Sequence, residues 1–363
     1  MDKVIFHCDL DCFFAAVEIR ENPDYRGLPV IIGADPKEGK GRGVVSTCSY
    51  EARKYGLHSA MPISRAYNLC PHGIYLRPDF SKYHVASDAV HKILKNYAPN
   101  HYQKVGIDEA YLDVTEKCSD FGEAKLLADK IREDIFETIG ITISIGCSWT
   151  KSLAKIASDY KKPNNTTVIT HENIVELLEN MDITKIPGIG KKSKKYYYKK
   201  GIRTIGDLIK TPLNIIIKNF GNQGKWFWDI AHGFEEREVK EFHGERKSIS
   251  KERTFFSDTN NFKDIINKLD ELNNKLHREI EKNNVYYRTV TLKIRFEGFI
   301  TYTRTKTFSI PIRDKNNALN TVLELYNKIE NDKKKIRLVG IRFSNLTKNL
   351  RTKQTNLLKY VIS

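Results

Sequence analysis

No C-x-x-C pair occurs among the six cysteines of this 363-residue chain: Cys8, Cys12, Cys48, Cys70, Cys118 and Cys147 are scattered singly. That excludes a zinc ribbon or a redox dithiol and argues against a disulfide framework, leaving small apolar side chains of a reducing compartment. No apolar run approaches the length of a membrane span, and no low-complexity tract interrupts the chain. The opening MDKVIFHCDLDC carries acids inside its apolar run and has no small-residue cleavage site, so no secretory signal is read there. The expectation is a cytoplasmic monomer, without membrane contact, long enough for two to four domains with ample core.

An excess of acid is also missing. The formal charge is +16, and it is unevenly spread: residues 1–170 hold 22 basic and 22 acidic side chains, 171–240 hold 13 and 9, and 241–363 hold 26 and 14. A neutral first half suits chemistry and a basic second half suits a polyanion, although a Lys-rich surface that is merely solvated is common in Lys/Asn/Ile-rich sequences.

What is present centres on Val105-Gly106-Ile107-Asp108-Glu109-Ala110-Tyr111-Leu112-Asp113. Two adjacent carboxylates stand where the strand-like runs Tyr102–Ile107 and Ala110–Val114 meet, which predicts a hairpin. Side-by-side carboxylates on rigid β-structure repel unless they share a cation. Alone, such a pair is more commonly a solvated turn. Upstream, the strand Val4–Cys8 runs into Asp9-Leu10-Asp11 and a helix opening at Phe13. Asp9 then lies beside free backbone N–H groups, suited to a metal that carries a phosphate tail, while Asp11 reads as the helix N-cap. Tyr50 and Arg53, three apart on a helical turn after the strand Val44–Cys48, can clamp a phosphate or form an ordinary exposed face.

Strands and helices alternate up to about residue 169 without long βαβ spacing, so an α+β domain with a largely antiparallel sheet is expected, bringing Asp9 next to Asp108 and Glu109. From His171 the pattern is helical, and Pro187-Gly188-Ile189-Gly190-Lys191 with a second turn at Gly201-Ile202 reads as a helix-hairpin-helix aimed at DNA phosphates. Glu235–Glu245 reads as a polar linker. Beyond it the order is β-α-β-β-α-β, a ferredoxin-like domain whose strands carry Arg288, Lys293, Arg295, Arg304 and Lys306, taken together as one basic sheet face.

Asp9-Leu10-Asp11-Cys12-Phe13-Phe14-Ala15, Ser49–Arg53, Ile107–Asp113, Ala154–Asp159, Lys162-Pro163-Asn164 and Arg246–Ile249, in this order, closely resemble the Y-family translesion DNA polymerases of the DinB/kappa-like branch, up to about Leu346. The resemblance implies an α+β multidomain right hand: a ferredoxin-like palm (1–12 and 79–169), small fingers (13–78), a helix-hairpin-helix thumb (170–235), a linker (236–246) and a little finger (247–346). It implies that Asp9, Asp108, Glu109 and the Leu10 backbone carbonyl ligate two Mg²⁺ ions, with Mn²⁺ as an alternative. Thr47, Tyr50, Arg53, Lys162 and N–H groups around Cys12 and Phe13 match a clamp for the deoxynucleoside triphosphate. Phe14 matches the steric gate against a ribose 2′-hydroxyl, its plainer reading being a core phenylalanine. The implied function is template-directed, low-fidelity synthesis on primer-template DNA past damaged bases, without proofreading. The rivals are a non-catalytic, clamp-tethered DNA-binding scaffold and a two-metal nuclease or phosphatase. In the tail (347–363), Gln354, Leu357, Leu358 and Tyr360 resemble a sliding-clamp binding peptide.

The sequence departs from the family pattern at three places. Gly106 replaces a usual Ser and is expected to loosen the strand. Asn165 replaces a Gly, which Asn tolerates in a left-handed position. Ser250 replaces a linker Gly.

Overall fold

The computed structural model describes residues 2–241, 244–329 and 334–348. The chain divides into two compact units, Met1–Phe242 and His243–Ser363. The strands of the first are β1 (Ile5–Leu10), β2 (Val30–Gly33), β3 (Val45–Cys48), β4 (Ile74–Leu76), β5 (Tyr102–Lys104), β6 (Glu109–Asp113), β7 (Ile143–Ser148) and β8 (Thr166–Val168). Five make the main sheet in the order β5-β6-β1-β7-β8, antiparallel except for the β7–β8 pair.

Because strand side chains alternate, central β1 sends Phe6, Cys8 and Leu10 into one core and Ile5, His7 and Asp9 to the other face. The first face is covered by the helices Phe80–Tyr97 and Phe121–Ile139, the latter burying Ala124, Ala128, Ile131 and Ile135 at helical spacing. Each large apolar side chain so buried contributes roughly 1.5–3 kcal/mol. The second face is covered by the helix Lys151–Ser158. It can lie that close because the residue opposite His7 on β7 is Gly146, where a Cβ would stand 1.9 Å from the Ala154 carbonyl oxygen and 2.2 Å from the Ser158 nitrogen.

A smaller sheet, β3-β2-β4, packs Ile31, Val45 and Cys48 on the helices Tyr50–Lys54 and Ile63–Leu69. Later helices, Lys191–Lys199, Ile205–Lys210 and Leu213–Ala231, close around Ile183, Ile186, Ile189, Leu208 and Phe227. The start of the stretch read as a polar linker is anchored to this unit. The Glu235 carboxylate is buried and accepts from the Ser152 N–H at 2.8 Å, and Val239 packs against Ile5, Tyr111 and Ala154. An acid at the first turn of a helix satisfies an orphan N–H, which is why an acidic stretch is held there.

The second unit follows the expected order: β9 (Ser248–Thr259), a helix (Phe262–Lys282), β10 (Tyr286–Phe296), β11 (Thr301–Ile312), a helix (Lys315–Asn327) and β12 (Ile336–Thr347). Its antiparallel sheet runs β11-β10-β12-β9. Both helices lie on one face, where Ile265, Leu269, Leu272, Leu276 and Ile280 meet Val290, Leu292, Ile294, Val339 and Ile341. Ser250 stands inside β9 opposite Arg342, so it is a strand residue and not a linker position. Among the described residues no helix is long and apolar enough to cross a membrane.

Candidate active site

Antiparallel register sets Asp9 of β1 directly opposite Glu109 of β6, and the Leu10 N–H donates to the Asp108 carbonyl at 2.9 Å. The hairpin is tightened by Val105 and Gly106, whose N–H groups both donate to the Glu109 carbonyl. Gly106, expected to loosen the strand, stands in the turn between β5 and β6. A Cβ there would lie 3.3 Å from Asp108 Oδ1, so the glycine leaves the carboxylate room. Ser87 of the neighbouring helix donates to the Ile107 carbonyl at 2.5 Å, bracing the hairpin from behind.

The carboxylates are electrostatically unequal. Burial, with Asp9 and Glu109 alongside, raises Asp108 above the ordinary carboxylate range. A hydrogen bond from His7, followed by the Lys155 ammonium, holds Glu109 down at about 2. One ligand atom each of His7, Asp9 and Glu109 lies within 4.8 Å of the others. His7 is fully buried, which lowers its pKa. Its Nδ1 is 2.7 Å from Ser158 Oγ, and its Nε2 is 3.1 Å from Glu109 Oε2 and 3.2 Å from Lys155 Nζ. Both ring nitrogens are thus committed, and Asp9, Asp108 and Glu109 remain as an all-oxygen donor set that fits a hard divalent cation. Lys155 and Ser158 stand in the Ala154–Asp159 motif, which the sequence leaves without a role, and His7 is not singled out by the sequence reading. The one available signal was alternation, which puts His7 on the face of Asp9.

Asp11 is not an N-cap. The N-cap is Cys12, left-handed at φ 39°, without a side-chain cap bond. The buried Asp11 carboxylate instead accepts from Ser144 Oγ at 2.8 Å, from Tyr50 O–H at 3.3 Å and from the Asn164 N–H at 2.7 Å. One acid so gathers three of the motifs around the start of the Phe13–Glu21 helix. Arg53 lies over the Tyr50 ring at 4.5 Å, and Thr47 is half-buried on β3 opposite Ile32. Lys162, expected at a triphosphate, donates to Asp9 Oδ1 at 2.5 Å. The left-handed residue of its loop is Asn164 at φ 51°, not Asn165, whose side chain donates to Thr166 and Thr167. Phe13 is buried. Phe14 is half-buried, stacked on Tyr83 at 4.3 Å and edge-on to Phe80 at 5.6 Å.

Residues 8–159 match the model of the impB/mucB/samB family, and residues 246–357 match that family's C-terminal domain. The chain is 41% identical over 348 residues to a DNA polymerase IV of Methanoculleus marisnigri, covering 95% of this chain and 94% of the relative. It is 42% identical over 339 residues to a DNA polymerase IV of Streptococcus gordonii, covering 93% and 95%. Among solved structures it is similar to the Y-family DNA polymerase chimera Dbh-Dpo4(243-245)-Dbh, with TM-score 0.83 and 30% identity over 95% of this chain and all of that one. An insertion ternary complex of Dbh DNA polymerase matches with TM-score 0.62 and 28% identity over the same share of this chain and all of that one. The chain belongs to the Y-family DNA polymerases. It is a DNA-directed DNA polymerase of the translesion class.

In this Y-family polymerase a groove of about 470 Å³ leads from Asp9 and Lys155 to the hairpin Thr184–Gly190. Gly188 takes φ 103° there, with Phe227 filling the space a side chain would need, and Gly190 opens the Lys191–Lys199 helix with no side-chain cap. Asp182, also missed in the sequence, pins this hairpin. It accepts from the Thr184 N–H at 3.0 Å, Lys194 Nζ at 2.8 Å and Tyr198 O–H at 2.5 Å. Despite some desolvation, the bonds from Lys194, Thr184 and Tyr198 hold its pKa well below the carboxylate range.

Arg288, Lys293, Arg295, Arg304 and Lys306 do not share one sheet face. Lys293 and Arg295 pair with Thr303 and Thr301 on the side away from the helices, whereas Arg304 and Lys306 pair with the core residues Leu292 and Val290. Lys306 accordingly reaches Glu324 of the Lys315–Asn327 helix at 2.7 Å. Arg288 is spent on the carbonyls of Phe308 and Ser309 at the bulge of β11. Lys293 is held by Glu252, while exposed Arg342, opposite Thr291 on β12, joins the outer face. There Thr289–Thr307 and Thr291–Thr305 form hydroxyl pairs at 3.0 Å. Gln354, Leu357, Leu358 and Tyr360 lie outside the described residues.

Proposed function

We propose that the cluster at the β1–β6 register is the catalytic centre for nucleotide transfer to a primer end. Asp9, Asp108, Glu109 and the Leu10 carbonyl hold two Mg²⁺ ions, with Mn²⁺ an alternative. The observation that carries this is Asp9 opposite Glu109 with Asp108 crowded beside them, a concentration of negative charge that a cation relieves. Bound there, divalent ions supply a lowered pKa for the primer 3′-hydroxyl and charge neutralisation for the triphosphate and the departing pyrophosphate.

The protein's own part is placement. The N–H groups at the start of the Phe13–Glu21 helix, next to Cys12 and without a side-chain cap, face the triphosphate together with Thr47, Tyr50, Arg53 and Lys162. Phe14, backed by Tyr83, blocks a ribose 2′-hydroxyl. The main sheet is the palm, the β3-β2-β4 sheet with its helices the fingers, the Lys191–Ala231 helices the thumb and the second unit the little finger. Gly188, Gly190 and Lys191 meet DNA phosphates through backbone N–H groups and charge. Lys293, Arg295 and Arg342, among hydroxyls, grip the backbone without reading bases. Fingers this small leave room for a damaged base and demand little of its fit. The protein works as an intracellular monomer, tethered to a sliding clamp through Gln354, Leu357, Leu358 and Tyr360.

Asp108→Ala is expected to lower primer extension by on the order of a thousandfold with DNA binding retained. Unchanged extension of a labelled primer overturns the assignment, and shortening of the primer by the wild type points to a nuclease.

A further inference from the structure

Two lysine ammoniums sit on the carboxylates of the proposed metal site. Lys162 donates to Asp9 Oδ1, and Lys155 donates to Glu109 Oε2. Each ammonium sits on a carboxylate that a bound cation would use, and an ammonium and a divalent ion on one carboxylate come into near contact as two positive centres. A lysine can leave such a partner easily: its charge is compact, its three donors rotate, and its stem is a flexible four-carbon chain. Each has somewhere to go. Lys155 lines the groove that runs from Asp9 to Gly188 and Gly190. Lys162 sits two residues before Asn164, whose N–H shares the Asp11 carboxylate with Tyr50.

We propose that Lys155 and Lys162 are exchangeable counter-ions of the catalytic carboxylates. They hold Glu109 and Asp9 in register until a divalent cation displaces them, and they then turn to phosphate, Lys162 to that of the incoming nucleotide and Lys155 to that of the primer strand in the groove. This rests on the metal-site reading above. A site closed by its own lysines for most of the time binds a cation more weakly by the fraction that is open, so freeing it tightens binding in proportion.

The test is Mn²⁺ binding to the full chain without DNA or nucleotide, followed by electron paramagnetic resonance and calorimetry. Lys155→Met and Lys162→Met, which keep the apolar stems, are each expected to tighten Mn²⁺ roughly fivefold to tenfold. The gain should persist in 0.5 M KCl, where long-range attraction is screened. Lys185→Met is the control, because Lys185 lines the same groove but is paired with Asp159 at 2.5 Å. Lys162→Met should at the same time raise the KM for deoxynucleotide, an opposite sign that a merely structural lysine does not produce. Unchanged or weakened Mn²⁺ binding in both variants, a gain lost in salt, or an equal gain in Lys185→Met overturns the exchange. If the wild type shows no Mn²⁺ binding that Asp108→Asn removes, the metal-site reading itself falls, and the exchange with it.

Discussion

In the first unit, the sheet face that carries His7 and Asp9 is roofed by the Lys151–Ser158 helix. In the second, the face that carries Thr291, Lys293 and Arg342 has both of its unit's helices on the opposite side. Under the roof, polar groups are fixed by several partners at once: His7 by Ser158, Glu109 and Lys155, and Asp11 by Ser144, Tyr50 and Asn164. On the open face, hydroxyls pair with hydroxyls and single charges reach outward. Chemistry on a phosphoryl group needs oxygens held to a fraction of an ångström, which demands rigid support. Holding a backbone of any sequence needs donors without a fixed register, which an open face provides.

The sharpest way to break that contrast is to lift the roof. Gly146→Val should cost on the order of 3 kcal/mol or more, because the new Cβ meets main-chain atoms that cannot step aside. Thr291→Val on the open face should stay within about 0.5 kcal/mol, and denaturant titration of both variants measures the gap. Within the roofed unit, Phe14→Ala should raise ribonucleotide relative to deoxynucleotide incorporation by on the order of tenfold. An unchanged ratio makes Phe14 a core residue only.

On the open face, Arg342→Ala should weaken DNA binding a few-fold and reduce the salt dependence by about one phosphate contact. Lys306→Ala, on the helix side, should leave both alone, and equal losses in a salt-titrated binding assay would erase the distinction between the faces. The smallest effect belongs to Asp182→Asn, expected to lower the melting temperature by on the order of 2 °C at neutral pH. Since folding depresses the Asp182 pKa, its contribution is full above the unfolded carboxylate value of about 3.9 and fades as the pH falls below it. The wild-type and variant melting curves should therefore converge in acid.

The meeting of Asp9 with Asp108 and Glu109 was legible because alternation, a hairpin signal and an ordered run of motifs all agree on it. The β-α-β-β-α-β order was legible from long strands and one strongly amphipathic helix. The division of the basic residues was not. Alternation within β10 and within β11 is plain, but which residue of one faces which of the other is set by the turn at Glu297–Phe299, and the sequence does not count that turn. Asp11 looked like a cap because local statistics favour Asp there, and three partners distant in sequence claim it instead. His7 and Lys155 stayed hidden for a related reason: their pairing exists only because Gly146 lets one helix settle onto the sheet.

The anchored stretch at the end of the first unit acts as a strain relief. Glu235 is tied to Ser152 and Arg237, and Val239 is buried against Ile5 and Ala154, at the root of the helix that carries Lys155. These two fixings clamp the stretch where it meets the helix, much as a cable gland grips a wire beside a soldered joint. The Lys151–Ser158 helix and residues 235–239 are thereby held together as one piece.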